Sequence, residues 1–117
     1  MILESRSIIF SDEELVLALR PVLEGRGQST NPPLKNIISE LDEEGEVSVQ
    51  MILSDGSDNI LFNSREVGAA VLNHCIDQGV PLPRGSYKEL AIRGDHVALI
   101  VRLESGKVSS GIDEDEE

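Results

Sequence analysis

The sequence predicts an α+β fold of two layers, with two helices covering one face of a six-stranded, largely antiparallel sheet. Two segments, 8–27 and 60–79, each start with three apolar residues, continue into a capped amphipathic helix and end at a glycine. Each is followed by two short segments of alternating polarity, which is the pattern of a hairpin. The predicted element order is β-α-β-β-β-α-β-β, and such elements stack in two layers around one core.

The two segments align with each other at an offset of 52 residues. Phe10 falls on Phe62, and Glu14 falls on Glu66. Ile8, Ser11, Ala18 and Gly27 likewise fall on Ile60, Asn63, Ala70 and Gly79. A capped helix with an acidic third residue is common to many proteins, whereas the repeated Ile-(Ile/Leu)-Phe is less general. Duplication of a β-α-β-β unit and coincidental similarity both remain open.

Each helix has a start signal and a stop signal. Ser11 and Asn63 are N-cap residues with a glutamate three positions later, which is the capping-box pattern. Gly79 is a natural stop for helix 2. Pro21 lacks a backbone donor, so helix 1 should kink or stop near Arg20. The small residues at 68–70 should let the backbone of helix 2 approach whatever it covers.

The strands are predicted at 2–10, 34–41, 46–53, 60–62, 89–93 and 96–103. Residues 42–45 connect the first hairpin, with Gly45 suited to a left-handed conformation. Gly94 and Asp95 form a two-residue connection that favours a mirror-image turn. Residues 1–104 are predicted to form one domain, and residues 105–117 an acidic disordered tail.

Composition indicates an acidic protein with an aliphatic core. Ile, Leu, Val and Phe supply 37 of the 117 residues, enough for folding, whereas only three residues are aromatic. The 22 acidic and ten basic residues give a net charge of −12. This charge repels phosphate backbones and anionic membranes, so neither nucleic acid nor membrane is an expected partner. It favours solubility, and it would attract a partner protein with a basic surface.

Location and cofactor use follow from what the sequence lacks. Cys75 is the only cysteine, so no intrachain disulfide is possible. The longest purely apolar run, residues 97–101, is far shorter than a membrane span. No segment resembles a secretory signal. A cytoplasmic location is therefore expected, and no cofactor is predicted.

No motif commits the chain to a reaction, and no catalytic residue is predicted. His74 and Cys75 are adjacent, but neighbouring helical residues point about 100° apart and do not face each other. Cys75 is expected in the core, and His74 on the surface with Asp77 available to orient its ring. The acidic run from Glu40 to Glu46 would hold a cation only weakly, and a solvated hairpin tip is the simpler interpretation.

The predicted partner-binding residues lie in two places. Residues 80–93 carry three cations and the only tyrosine of this acidic chain, and the residues proposed for binding there are Arg84, Tyr87, Lys88 and Arg93. Arginine and tyrosine are common interface anchors. Glu43 and Glu44 complete the predicted site at the tip of the first hairpin. The alternative is a connecting loop whose cations neutralise nearby carboxylates.

The leading hypothesis is a small, non-catalytic binding or regulatory protein that acts through protein–protein interaction. The alternative is a small enzyme or ligand-binding domain with a pocket between the two helices, using His74, Arg84 or His96. Mimicry of nucleic acid is a third possibility, but it needs acids along a rigid face, and here they cluster at a hairpin tip and in the tail. A homodimer formed through an exposed strand edge is also open.

Overall fold

The computed structural model describes residues 2–29 and 33–105 of the chain and has the predicted order of elements. The elements are β1 (Ile2–Ile9), α1 (Asp12–Gly25), β2 (Leu34–Leu41), β3 (Val47–Leu53), β4 (Ile60–Phe62), α2 (Ser64–Asp77), β5 (Tyr87–Arg93) and β6 (His96–Ser105). The prediction of an α+β fold with antiparallel strands is confirmed. The predicted tail at 105–117 lies, apart from Ser105 at the end of β6, outside the described residues.

The six strands form two separate sheets, where the sequence suggested one. The strand orders are β1-β6-β5 and β2-β3-β4, and all pairs are antiparallel. The two sheets approach each other through β2, β3, β5 and β6 without joining in a ladder. Alternation of apolar residues fixes which face of a strand is buried, but it does not identify the neighbouring strand. This part of the prediction was therefore wrong.

Each sheet combines strands from both halves of the chain. β1 pairs with β6 in one sheet, and β4, its counterpart at the 52-residue offset, pairs with β3 in the other. Each hairpin therefore receives its third strand from the other half. Phe10 continues the β1 ladder, donating its backbone N–H to the Val97 carbonyl at 2.9 Å. This arrangement has the pattern of a pseudo-two-fold axis between two β-α-β-β units.

The buried faces of the two helices repeat at the same offset. Leu15, Ala18, Leu19 and Leu23 are the buried residues of α1, and their positions plus 52 are Val67, Ala70, Val71 and Cys75, the buried residues of α2. Together with Phe10 and Phe62, they join the inward residues of the central strands β3 and β6 in one hydrophobic core.

The helix α1 continues through Pro21 to Gly25, so of the two predicted effects of this proline, a kink or a stop near Arg20, the stop was wrong. Pro21 lies on the exposed side, whereas Leu19 and Leu23 on either side of it are 0% and 4% exposed. Burying each leucine contributes about 1.5–3 kcal/mol. Two such contributions are enough to offset the roughly 3 kcal/mol that an interior proline costs a helix.

Both helices end in the same backbone motif. In α1 the N–H of Gly27 donates to the Glu24 carbonyl and that of Gln28 to the Leu23 carbonyl; in α2 those of Gly79 and Val80 donate to the Ile76 and Cys75 carbonyls. This is the Schellman pattern, which needs a left-handed residue after the cap. Gly27 and Gly79 have φ of 71° and 74°. Each glycine therefore lets the chain leave its helix toward the following hairpin.

Candidate functional site

His74 serves to join the two helices. Its Nε2 lies 2.9 Å from Oε1 of Glu14 in the first turn of α1, and its ring packs at a tilt against Phe10, with centroids 6.4 Å apart. The histidine side chain is only 12% exposed. Glu14 thus takes the orienting role that the sequence suggested for Asp77. Local spacing within α2 could not reveal a partner 60 positions away.

Cys75 is a core residue, as its place on the apolar stripe predicted. It is 1% exposed, and burial raises the pKa of its thiol, an effect that the charge of Arg6 reduces only in part. A nucleophilic cysteine needs the thiolate form and access to solvent. The environment of Cys75 opposes both.

The cleft between the helices is too small for most ligands. Its volume is about 150 Å³, and small side chains such as Ala69 and Ala70 line it together with His74. Pockets that enclose small molecules usually measure about 300–1,000 Å³. Arg84 and His96, the other residues suggested for such a pocket, do not line the cleft. His96 instead lies 3.5 Å from Asp12 at the start of α1.

The predicted cationic residues do not form one continuous surface. Arg84 is exposed in a turn closed by a hydrogen bond from the Ser86 hydroxyl to the Pro83 carbonyl. Tyr87 is 66% exposed, but its side chain and that of Lys88 leave β5 on opposite faces, because they are consecutive strand residues. Arg93 is at the other end of β5, roughly 20 Å from Tyr87.

The tip of the first hairpin is held in one shape by Asp42. Its Oδ1 accepts the backbone N–H of Glu44 at 2.8 Å and that of Glu46 at 2.9 Å, and its own N–H donates to the Glu46 carbonyl. Gly45 adopts the predicted left-handed conformation, with φ of 79°. The side chains of Glu43 and Glu44 are exposed, and neither has a polar partner among the described residues. The turn thus presents two free carboxylates on a rigid backbone.

A hollow of about 450 Å³ lies beside this tip, where the hairpin, the start of α2 and the edge of β5 meet. Its lining includes the charged residues Glu46, Glu89 and Arg65. Val47 and Leu90 contribute apolar surface. Glu46 accepts a hydrogen bond from the Ser64 hydroxyl at 2.9 Å, and Glu89 pairs with Arg102.

The sequence did not predict the hollow, although it did predict the close packing of α2 that forms one of its sides. The small residues at 68–70 predicted a close approach of α2, and a Cβ at Gly68 would lie 3.6 Å from the Cδ1 of Leu90. Ser64 and Arg65 have no distinguishing pattern in the sequence. They become part of a site only because the second half of the chain packs on the first hairpin.

Among the described residues, no group of three or more His, Cys, Asp or Glu side chains is arranged to hold a metal ion. No helix in the described part of the chain is long and apolar enough to cross a membrane. Comparison with protein-family models, with curated proteins and with solved structures finds no match.

Proposed function

We propose that this chain is a small non-catalytic binding or regulatory protein, which acts by contacting a partner protein through the tip of its first hairpin. The observation that carries the proposal is the pair of free carboxylates at Glu43 and Glu44 on a turn fixed by Asp42. Because the backbone is already ordered, binding would cost little conformational entropy there. The partner would present a basic surface.

The hollow beside the tip supports the same proposal. A lysine or arginine of the partner could extend its aliphatic stem along Leu90 and place its charge beside Glu46, whose carboxylate accepts a hydrogen bond from the neutral Ser64 hydroxyl. Glu89, by contrast, is already paired with Arg102. The acidic field of the whole chain would speed the encounter, and this effect weakens as salt screens it. Arg84, Tyr87, Lys88 and Arg93 remain a second candidate contact on the same partner.

The structural roles of His74 and Cys75 favour a binding protein over the alternative of a small enzyme. His74 is held between Glu14 and Phe10, and Cys75 is enclosed in the core. The cleft between the helices has a volume of only about 150 Å³, below the roughly 300 Å³ of the smallest usual ligand pockets. His74 and Cys75 are therefore engaged in packing the helices.

The test is a comparative capture experiment at low salt. The wild-type chain, a Glu43→Gln/Glu44→Gln variant and an Asp58→Asn/Asp77→Asn variant are immobilised, and proteins retained from the native cell extract are quantified by mass spectrometry. The last variant is the matched control, because it removes the same charge from Asp58, in the connection between β3 and β4, and from Asp77, the last residue of α2. We expect one basic protein to be lost specifically with the hairpin variant, and then to bind the wild type when purified. Equal retention by both variants would show that only bulk charge matters and would contradict the proposal.

A further inference from the structure

The strand β1 presents one open edge, and its pairing with β6 determines which backbone groups face outward. Since the Phe10 N–H donates to Val97, alternation assigns Ile8, Arg6 and Glu4 to the hydrogen-bonded pairs with β6. The intervening residues Leu3, Ser5, Ser7 and Ile9 therefore point their N–H and C=O groups toward the open edge. These groups have no backbone partner among the described residues.

Apart from the charged side chains of Glu4 and Arg6, this edge lacks the features that normally prevent strand addition. β1 has eight residues without proline, glycine or a register shift against β6. Its described side chains are exposed except for Ile8, which is partly buried, and Leu3 and Ile9 are 69% and 55% exposed. Natural edge strands are usually shortened, bulged or covered. The edge strand β4, by contrast, has only three residues.

We propose that two copies of the chain associate through β1, pairing antiparallel with Ser5 opposite Ser5 of the second copy. The outward-facing residues are then matched, since Leu3 meets Ser7 of the second copy and Ser7 meets Leu3. Three hydrogen-bonded pairs form, and the two sheets become one six-stranded sheet of order β5-β6-β1-β1-β6-β5. This inference is independent of the proposed function, because β1 lies at the other edge of its sheet from β5 and lines neither the hairpin tip nor the hollow beside it.

Charge selects this register over its neighbours. With Ser5 on the two-fold axis, Glu4 lies directly opposite Arg6 of the second copy, and Arg6 lies opposite Glu4. These are non-hydrogen-bonded pairs, in which side chains are closest. A shift by two residues in one direction places Glu4 against Glu4, and a shift in the other direction places Arg6 against Arg6. Like charges directly opposite each other are destabilising.

Arg6 can make the new contact without losing its present one. One of its guanidinium nitrogens, Nη2, donates to the Pro81 carbonyl at 2.5 Å. A guanidinium has five N–H donors, so others remain for a carboxylate across the strand pair. The bond to Pro81 also limits the freedom of the side chain before association.

Cysteine cross-linking tests the register directly. Ser5→Cys places two thiols opposite each other at a hydrogen-bonded pair, where the Cα atoms are about 5.5 Å apart, within disulfide range. Ser7→Cys is the matched control, because its two copies would be roughly 14 Å apart. The buried Cys75 serves as an inert background in both variants. We expect rapid covalent dimer formation under mild oxidation with Ser5→Cys only. Equal rates for the two variants would overturn the register.

A charge exchange tests the association itself. Sedimentation at moderate salt should give the wild type a mass of twice 12.7 kDa. Glu4→Arg or Arg6→Glu alone should shift the equilibrium toward monomer at least tenfold, and the double variant should restore the dimer. Circular dichroism confirms that each variant is folded. A wild type that remains monomeric at its highest soluble concentration, or a double variant no better than the singles, would overturn the proposal.

Discussion

Arg26, the C-cap residue of α1, donates through Nη2 to Oε2 of Glu66 in the first turn of α2 at 2.5 Å, and its guanidinium carbon lies 4.8 Å from the centroid of the Phe62 ring. His74, in the last turn of α2, makes equivalent contacts with Glu14 in the first turn of α1 and with the Phe10 ring. Each helix therefore closes against the other through a basic residue at its end, and the two contacts together fix an antiparallel helix pair.

Replacement of Arg26 by alanine should lower the free energy of unfolding by about 0.7–2 kcal/mol. The loss combines a cation–π contact worth about 0.5–1 kcal/mol with an ion pair worth about 0.2–1 kcal/mol. Urea denaturation measures the change. Arg20→Ala is the control, because Arg20 is exposed on the same helix and has no polar partner among the described residues. An equal effect of both substitutions would show that the contact at Arg26 contributes nothing specific.

The charge on Glu66 should make stability depend on acid pH. The hydrogen bond from Arg26 and, to a smaller extent, the backbone N–H of Asn63 lower the pKa of Glu66. The folded state therefore binds the proton more weakly than the unfolded state. The resulting stabilisation is present above the ordinary glutamate pKa of about 4.3, and it disappears as the pH falls through the lower pKa of the folded state.

The measurement compares wild type with Glu66→Gln, which keeps an acceptor for the capping box. The wild type should be more stable by about 1 kcal/mol at neutral pH, and the two should converge in acid. Because the difference is taken at each pH, changes in overall charge repulsion cancel. In an Arg26→Ala background the pH dependence should be much smaller. A difference that stays constant from neutral to acid pH would contradict the assignment.

Pro21→Ala should stabilise the protein. Pro21 lies within α1 at an exposed position and leaves the helix without one backbone hydrogen bond. Alanine restores this donor and has the highest helix propensity, so a gain of up to about 3 kcal/mol is expected. Pro83→Ala, outside any helix, is the control and should give no gain. If Pro21→Ala were neutral or destabilising, Pro21 would have a compensating packing role that its exposure does not reveal.

The sequence was sufficient for the elements that local chemistry determines. The caps at Ser11 and Asn63, the stop at Gly79 and the mirror-image turn at Gly94-Asp95, where φ is 55° and 66°, all lie where the sequence predicted them. The buried residues of the two helices coincide at the 52-residue offset, because helical spacing and burial share one period.

The features of the fold and of the site that the sequence did not predict depend on contacts between distant parts of the chain. Nothing in β1 specifies β6 as its neighbour, so the division into two sheets could not be read from strand patterns. Likewise, Glu14 and His74 each look ordinary in their own helix, and only packing of α1 on α2 joins them. The hollow beside the first hairpin was missed for the same reason, since α2 and β5 supply most of its wall. The predicted binding residues at that hairpin, at Arg84 in the turn before β5 and on β5 itself remain a prediction.

Ser39→Ala should leave stability unchanged or raise it by up to about 2 kcal/mol. Ser39 is buried on the inner face of β2, beside Val49 of β3, and its hydroxyl has no hydrogen-bond partner among the described residues. A buried hydroxyl without a partner costs about 1–3 kcal/mol, and alanine removes it while leaving only a small void. In the other sheet, Val97 corresponds to Val49, because Phe10 pairs with Val97 as Phe62 pairs with Val49. The residue paired with Val97 is Ile92, so an apolar side chain suits this position. Ser48→Ala, on the other face of the same hairpin, is the control. Clear destabilisation by Ser39→Ala in urea denaturation would mean that the hydroxyl has a partner, such as a buried water, and would contradict this reasoning.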